Sequence, residues 1–466
     1  MLTEQPVNRL LFTMAAPISL GMLSTFLFQI IDTFFVGKLG AAELAALAFA
    51  STVYFLFVGI FVGLSVGVSS VVARAAGAGD QAKTQLFSVV ALWLTLLVSV
   101  GLSLLAFAGI TPMFSALGAD AAVMPPIRDY VGWLYLGLPL LMLGIVGSGI
   151  VRATGTIRLT EIIFALAGLV NLLFDYLLIF GIGPFPAMGM AGAAIASCLS
   201  FLFIFLGVIG VMVRKGLVGP RLLFRLGGGF ASLRSIMAMA LTTVGVQILV
   251  PATAILTTFL LAKFGADLVA AYGVASRIEA LAMVGIFGVS SAMTPFVAQN
   301  FGAGKHARID SAIIFAGKAS VYMGLLVFVL LAIFGPAIAS LFSSDPEIIA
   351  FVGLYFKIVA VSYGFFGIFN VTSAIFNGLQ MPGWSLRLML AKTFIFTAPL
   401  LIIAAFISMQ AILAALAIGN VLAGIHAGIL MRRSIRKWDR PIADINIWQD
   451  YKNDIKTALQ WVMRRR

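Results

Sequence analysis

Charge is what this chain has least of. Asp, Glu, Lys and Arg make up 10% of its 466 residues, against 62% hydrophobic and a mean hydropathy of +1.11. Soluble domains are about one-quarter charged, so this shortage excludes a string of water-soluble domains and implies a polytopic membrane protein. Cysteine is nearly missing as well, and Cys198 alone cannot form an intrachain disulfide. Two histidines, His306 and His426, are too few for a His-based metal site and read as residues at headgroup level. The run Gly302-Ala303-Gly304-Lys305-His306 lacks the glycine spacing and the Ser or Thr of a nucleotide-binding loop, and reads as a helix-ending turn. No redox group, metal or other cofactor is expected, and an ion gradient is left to supply work. A cleavable leader is not expected: the first apolar run begins after Arg9, is longer than a signal core, and lacks a small-residue cleavage site.

What is present in quantity is apolar sequence in runs long enough to cross a bilayer as helices, which need about 20 residues each. Twelve are expected, at residues 10–36, 44–73, 86–110, 127–151, 159–182 and 187–213, then 234–262, 268–299, 311–342, 348–378, 384–406 and 409–431. The runs show no alternation of period two, and lipid leaves no backbone group unpaired, so helices are expected rather than a barrel.

The two sets of six are copies. Shifted by 225 residues, Lys38 falls on Lys263, Gly40-Ala41 on Gly265-Ala266, Ala50-Ser51 on Ala275-Ser276, and Gly77-Ala78-Gly79 on Gly302-Ala303-Gly304. Over residues 36–80 about a third of positions are identical in one ungapped register. The expected fold is all-α: twelve transmembrane helices in two six-helix lobes, with residues 1–213 as the first lobe, 214–233 as a linker, 234–431 as the second lobe and 432–466 as a basic tail. Duplicated membrane halves typify secondary transporters, whose sites lie near the repeat interface.

The net charge of +13 reports topology first. Arg74, Lys83, Arg152, Arg158, Arg214, Lys215, Arg221, Arg225, Arg234, Lys305 and Arg308 occupy loops on one side, and Arg432, Arg433, Arg436, Lys437 and Arg440 follow the last span. On the other side Lys38, Arg128 and Lys263 are offset by Glu43, Asp129 and Asp267. Both termini are therefore expected in the cytoplasm of an inner-membrane protein. The basic residues sit in short loops at one membrane face, which argues against a nucleic-acid partner.

Two acids interrupt apolar spans: Asp32 in the first and Asp175 in the fifth. A carboxylate at that depth costs about 2.5–3.5 kcal/mol on insertion scales, so each is expected to face a cavity or a partner. Counted from the outer ends of their spans, the two lie within about 5 Å in height at 1.5 Å per residue. They are expected to share an outer-half pocket. Asn171, four residues before Asp175, shares its helix face and is expected to hydrogen-bond into that pocket. Burial and a neighbouring acid both disfavour ionised carboxylates, which suits such a pair to reversible protonation. At the repeat offset Asp32 meets Thr257 and Asp175 meets Leu400, so coupling is assigned to the first half. Pro17, fifteen residues before Asp32, is expected to bend the helix that carries it, and Pro251 and Pro295 to bend spans seven and eight. Glu161 is expected to pair with Arg158 at the interface. Arg277 and Glu279, two residues apart, each need another partner, and Lys318 and Lys357 are expected to snorkel or pair.

Three stretches carry a resemblance. The helix from Pro17 through Ile31-Asp32-Thr33-Phe34-Phe35-Val36-Gly37, the Asn171 and Asp175 pair, and Met188-Gly189-Met190-Ala191-Gly192-Ala193-Ala194-Ile195-Ala196 resemble the multidrug and toxic compound extrusion (MATE) transporters. The resemblance spans all twelve runs and is strongest to the DinF-like branch and its archaeal relatives. It implies a monomeric antiporter that exports cationic amphipathic small molecules by alternating access, in exchange for protons or sodium. It also implies coupling at Asp32, Asn171 and Asp175, with Tyr130 joining their network. The branch with acids in spans seven and ten is a poorer match, because Gln247, Val250 and Pro251 stand in the former and Asn370 and Asn377 in the latter. A lipid or lipid-linked oligosaccharide flippase of the same superfamily is the alternative reading. A membrane-embedded transferase is disfavoured, since clustered edge carboxylates and a His constellation are lacking.

Overall fold

The computed structural model describes residues 2–224 and 227–435; Arg225, Arg436, Lys437 and Arg440 lie outside them, as does most of the basic tail. The described residues form helices and no strands. The first lobe holds α1 (Val7–Gly37), α2 (Ala41–Gly77), α3 (Gln81–Ala108), α4 (Met124–Ala153), α5 (Arg158–Phe180) and α6 (Gly189–Arg214). After a short linking helix at Pro220–Leu223, the second lobe holds α7 (Gly229–Leu261), α8 (Ala266–Ala282), α9 (Val284–Gly302), α10 (His306–Ala339), α11 (Pro346–Val359), α12 (Tyr363–Gly378), α13 (Pro382–Leu390), α14 (Ala398–Ala404) and α15 (Met409–Ile435). Several of these are halves of one span. Eleven spans meet the length and hydropathy of a membrane crossing, and α8 with α9, bent by 52°, makes the twelfth.

That bend departs from the sequence expectation of one helix over 268–299 with a bend at Pro295. The break falls at Met283, and Pro295 lies within α9. Beside it, Ser19 Oγ on α1 donates to the Val284 carbonyl at 3.3 Å, tying the break to the other lobe. Gly288, one turn on, lets α1 come close, since a Cβ there would stand 2.8 Å from the Ala15 carbonyl oxygen. Pro17 and Pro251 lie within unbroken helices. Span eleven passes through a π-helical turn at Ala391–Thr397, between α13 and α14.

The internal copy is visible in individual bonds. Ser65 Oγ donates to the Ile145 carbonyl at 3.0 Å in the first lobe, and Ser290 Oγ donates to the Asn370 carbonyl at 3.0 Å in the second, at the same offset of 225. The repeated turn glycines also match, Gly79 at φ 75° and Gly304 at φ 70°. Such angles strain any residue with a Cβ.

Each lobe has its own apolar core, but α1 serves both. Leu10, Leu11, Met14 and Ile18 are buried in the second-lobe core with Phe296, Val297 and Phe376. Further along α1, Phe35 packs edge-on to Phe180 of α5 at 5.9 Å. Pro17 thus sits where α1 crosses from one lobe to the other. The lobes are closed on the side of the basic loops. There Ser70 Oγ donates to the Asn377 carbonyl (2.5 Å), Arg74 Nη1 to Gln380 Oε1 (2.6 Å), and Gln299 Nε2 to the Ala153 carbonyl (2.6 Å). The segment before α1 joins the closure: the Leu2 N–H donates to Gln299 Oε1 (2.9 Å), Lys305 Nζ to the Thr3 carbonyl (2.9 Å), and Arg308 Nη2 to the Gln5 carbonyl (2.7 Å).

Candidate functional site

The first lobe encloses a cavity of about 490 Å³ between α1, α2, α4, α5 and α6, with Phe287 of α9 closing one side. Its size falls within the range of small-molecule pockets. The wall mixes aromatic side chains, Phe26, Phe28, Tyr54, Phe164 and Phe201 among them, with aliphatic and small residues. One wall depends on a missing side chain: Phe28 lies flat over Gly168, where a Cβ would stand 2.0 Å from the ring.

Asp32, Asn171 and Tyr130 sit together at one end of this cavity. Asp175 is 1% exposed and stands behind Asp32, their carboxyl groups at hydrogen-bonding reach of each other. Two carboxylates have no donor between them, so that contact becomes a hydrogen bond only when one holds a proton. Nothing else satisfies the group. Asp32 Oδ1, both Asp175 oxygens and Asn171 Nδ2 are buried without a hydrogen-bond partner among the described residues. The expected bond from the Asn171 amide is therefore not formed: Asn171 faces the cavity while Asp175, one turn on, faces Asp32. Tyr130 interacts with both acids, and Ser197 stands beside its hydroxyl. Buried polar atoms left unpaired are rare and costly, and this end of the cavity gathers four.

The opposite end carries a different pair. Arg152, in the last turn of α4, donates from Nη1 to Glu161 Oε1 of α5 at 3.1 Å. This corrects the assignment of Glu161 to Arg158. Arg158, at the first position of α5, is exposed, whereas Glu161 is buried and lines the cavity. Gly21 of α1 makes the seat, because a Cβ there would stand 2.3 Å from Glu161 Oε2.

Comparison with known proteins identifies the scaffold. The MatE family model matches the chain twice, over residues 17–177 and 243–403, in two segments of equal length. The chain belongs to the MATE transporter family. It is 33% identical over 434 residues to the FAD transporter of Shewanella oneidensis, covering 93% of this chain and 96% of that protein. It is also 24% identical over 365 residues to the probable multidrug resistance protein NorM of Thermotoga maritima, covering 76% and 75% of the two chains. Its fold superposes on a crystal structure of a mutant of the Vibrio cholerae MATE transporter VcmN with a TM-score of 0.88 at 25% identity, covering 92% of this chain and 97% of that one. As a MATE protein it is a multi-pass membrane transporter and not an enzyme.

Within this MATE chain, several site residues escape a reading of the sequence. Tyr54 of α2 interacts with Asp32 and with Tyr130, yet a tyrosine in an aromatic span carries no signal of its own. Arg152 reads as a topology marker at a helix end. In the second lobe, Tyr355 of α11 donates to Glu279 Oε2 of α8 at 2.5 Å, so Glu279 finds its partner across helices. Lys392, buried in the π-helical turn, also interacts with Glu279, and its Nζ lies 4.1 Å from the Phe366 ring centroid and 4.9 Å from that of Phe369. A π-helical turn often marks a functional position, and its sequence signal was a single lysine in an apolar run. Lys318 and Lys357 are exposed, as snorkelling side chains would be; Arg277, expected to find a partner on another helix, is exposed and forms no ion pair among the described residues.

Proposed function

We propose that this MATE chain is a secondary active antiporter that exports amphipathic, aromatic small molecules in exchange for protons. Asp32 and Asp175 form the coupling pair, Asn171 and Tyr130 belong to their network, and Pro17 is the hinge. The observation that carries this reading is the gathering of unpaired polar atoms around two facing carboxyls at one end of a first-lobe cavity. A proton shared by the acids turns their contact into a hydrogen bond, and sodium, which prefers a fuller cage of oxygens, fits less well. The pattern follows the DinF-like branch, and the multidrug-resistance name of the NorM relative supports the cargo class.

The cycle follows from competition. Protonation from outside neutralises the acid pair, favours a bend of α1 near Pro17 and contracts the cavity, which expels cargo. Inward release of the proton after the lobes rock resets the site. The positive loops support a cytoplasmic location for both termini, so the closure described above is the cytoplasmic one. A ligand shifts a two-state equilibrium only by its differential affinity, so cargo and proton must favour opposite states. The test is cargo affinity measured across pH. Wild type binds more weakly as pH falls, and Asp32→Asn loses most of that dependence; identical profiles would remove Asp32 from the mechanism.

A second reading of the cargo, a flavin dinucleotide, is favoured by one comparison: the relative that is 33% identical over nearly the whole chain is named for FAD. Flippase activity is less favoured, because the cavity lies within one lobe and carries acids at both ends.

A further inference from the structure

The second lobe holds a polar centre at the repeat image of the first-lobe cavity. At the offset of 225, Tyr54, Tyr130, Leu141 and Ala167, which line that cavity, fall on Glu279, Tyr355, Phe366 and Lys392. Those four meet one another. Tyr355 of α11 donates to Glu279 of α8, and Lys392, in the π-helical turn of span eleven, holds its Nζ 4.1 Å from the Phe366 centroid and 4.9 Å from that of Phe369. Lys392 is 8% exposed. Its ammonium interacts with the Glu279 carboxylate, but the two make no direct ion pair, so among the described residues it is held by two rings and one acid nearby.

The two centres differ in how their acids are balanced. Asp32 and Asp175 have only each other, Tyr54 and Tyr130 as titratable neighbours, and two carboxyls in contact bond only through a proton. Glu279 has a cation supplied by the chain. Removing one partner of a buried pair leaves an uncompensated charge, which must then find an ion or a proton. Aromatic faces beside a carboxylate are also the groups that recognise ammonium ions. Where the first lobe leaves space at Ala167, the second inserts an ammonium.

We infer that the second lobe contains a monovalent-cation site of the ammonium-binding class and that Lys392 is its tethered occupant, which makes this lobe independent of ions in solution. Lys392 then determines ion specificity: the duplicated scaffold places acids in both lobes, and the lysine confines the demand for a proton to Asp32 and Asp175. Only that last step rests on the export reading; the cation site does not.

The experiment is thermal unfolding of the purified full chain carrying Lys392→Ala, with n-propylammonium chloride added and N-methylglucamine chloride, too bulky to enter, as the ionic-strength control. The variant should melt below wild type, and n-propylammonium should recover about half of the loss with saturable dependence, as a ligand of the folded state does. Lys392→Gln, which keeps most of the bulk without the charge, should respond to acid instead. Its deficit against wild type should shrink as pH falls, because a proton on the lone Glu279 carboxyl replaces the missing charge. The other groups around that carboxyl are Tyr272, Tyr355 and Tyr363, none of which supplies a cation. Wild type sets the baseline at each pH, since Asp32 and Asp175 are present in every variant. Adding Glu279→Gln to either variant should remove its response. A Lys392→Ala deficit that n-propylammonium reduces no more than the control, or a Lys392→Gln deficit equal at every pH, makes Lys392 a packing residue and overturns the inference. Cargo binding that ignores Asp32 would remove the export reading and leave the second-lobe site standing.

Discussion

Gly77→Ala is expected to pry the lobes apart on the basic-loop side. Gly77 ends α2, and a Cβ there would stand 2.1 Å from the Gln299 carbonyl oxygen and 2.7 Å from its carbonyl carbon and Cα. Ordinary contact begins near 3.4 Å. The obstructing atoms are backbone, so no side chain can rotate away, and α9 must retreat by more than about 1 Å. Forcing extra volume into a packed interface costs about 1–3 kcal/mol, and each 1.4 kcal/mol is tenfold, so the closed-to-open ratio should fall about five- to hundredfold. The assay is alkylation of a Ser70→Cys reporter, buried at the same interface, in a Cys198→Ser background. Gly77→Ala should speed labelling by that factor. Gly59→Ala on the same helix has nothing within 4 Å of its new Cβ and controls for the gain in helix propensity. Labelling no faster in Gly77→Ala than in Gly59→Ala would refute the packing argument and the closure it describes.

Asn171→Ala should weaken coupling without abolishing it, seen as reduced export at a fixed pH gradient; wild-type export would remove Asn171 from the network. Pro17→Ala should leave cargo affinity intact and slow turnover, because the bend where α1 changes lobes is lost, and an unchanged counterflow rate would make Pro17 a fixed kink. In the second lobe, Lys392→Met and Glu279→Gln should each lower the melting temperature. The double variant should lose less than the sum by about 0.5–3 kcal/mol, and strict additivity would show the two side chains to be independent.

The fold was largely legible because its signals are physical necessities of lipid: apolar runs of fixed length, and a duplicated register that the bonds of Ser65 and Ser290 repeat atom for atom. Asp32 and Asp175 were legible for the same reason, since an acid in an apolar run has few cheap explanations, and the matched height of the two follows from rise per residue. What the sequence concealed was side-chain destination. Glu161 has Arg158 three residues away on its own helix, yet Arg152 reaches it from α4 because Gly21 leaves room. The break at Met283 lies where Ser19 of the first lobe bonds the Val284 carbonyl, and no local signal at Met283 announces it. Tyr54 and Lys392 matter through what folds over them, which one chain read in order does not reveal.

The central claim is that the facing carboxyls of Asp32 and Asp175 couple export to proton entry. Its most direct test is cargo counterflow in proteoliposomes with pH and sodium gradients imposed separately. Wild type should transport on a pH gradient without sodium, and Asp32→Asn and Asp175→Asn, which keep side-chain size while removing the titrating group, should each abolish gradient-driven transport while inserting normally. Sodium-driven transport with no response to pH, or full proton-driven transport by either variant, would contradict the account.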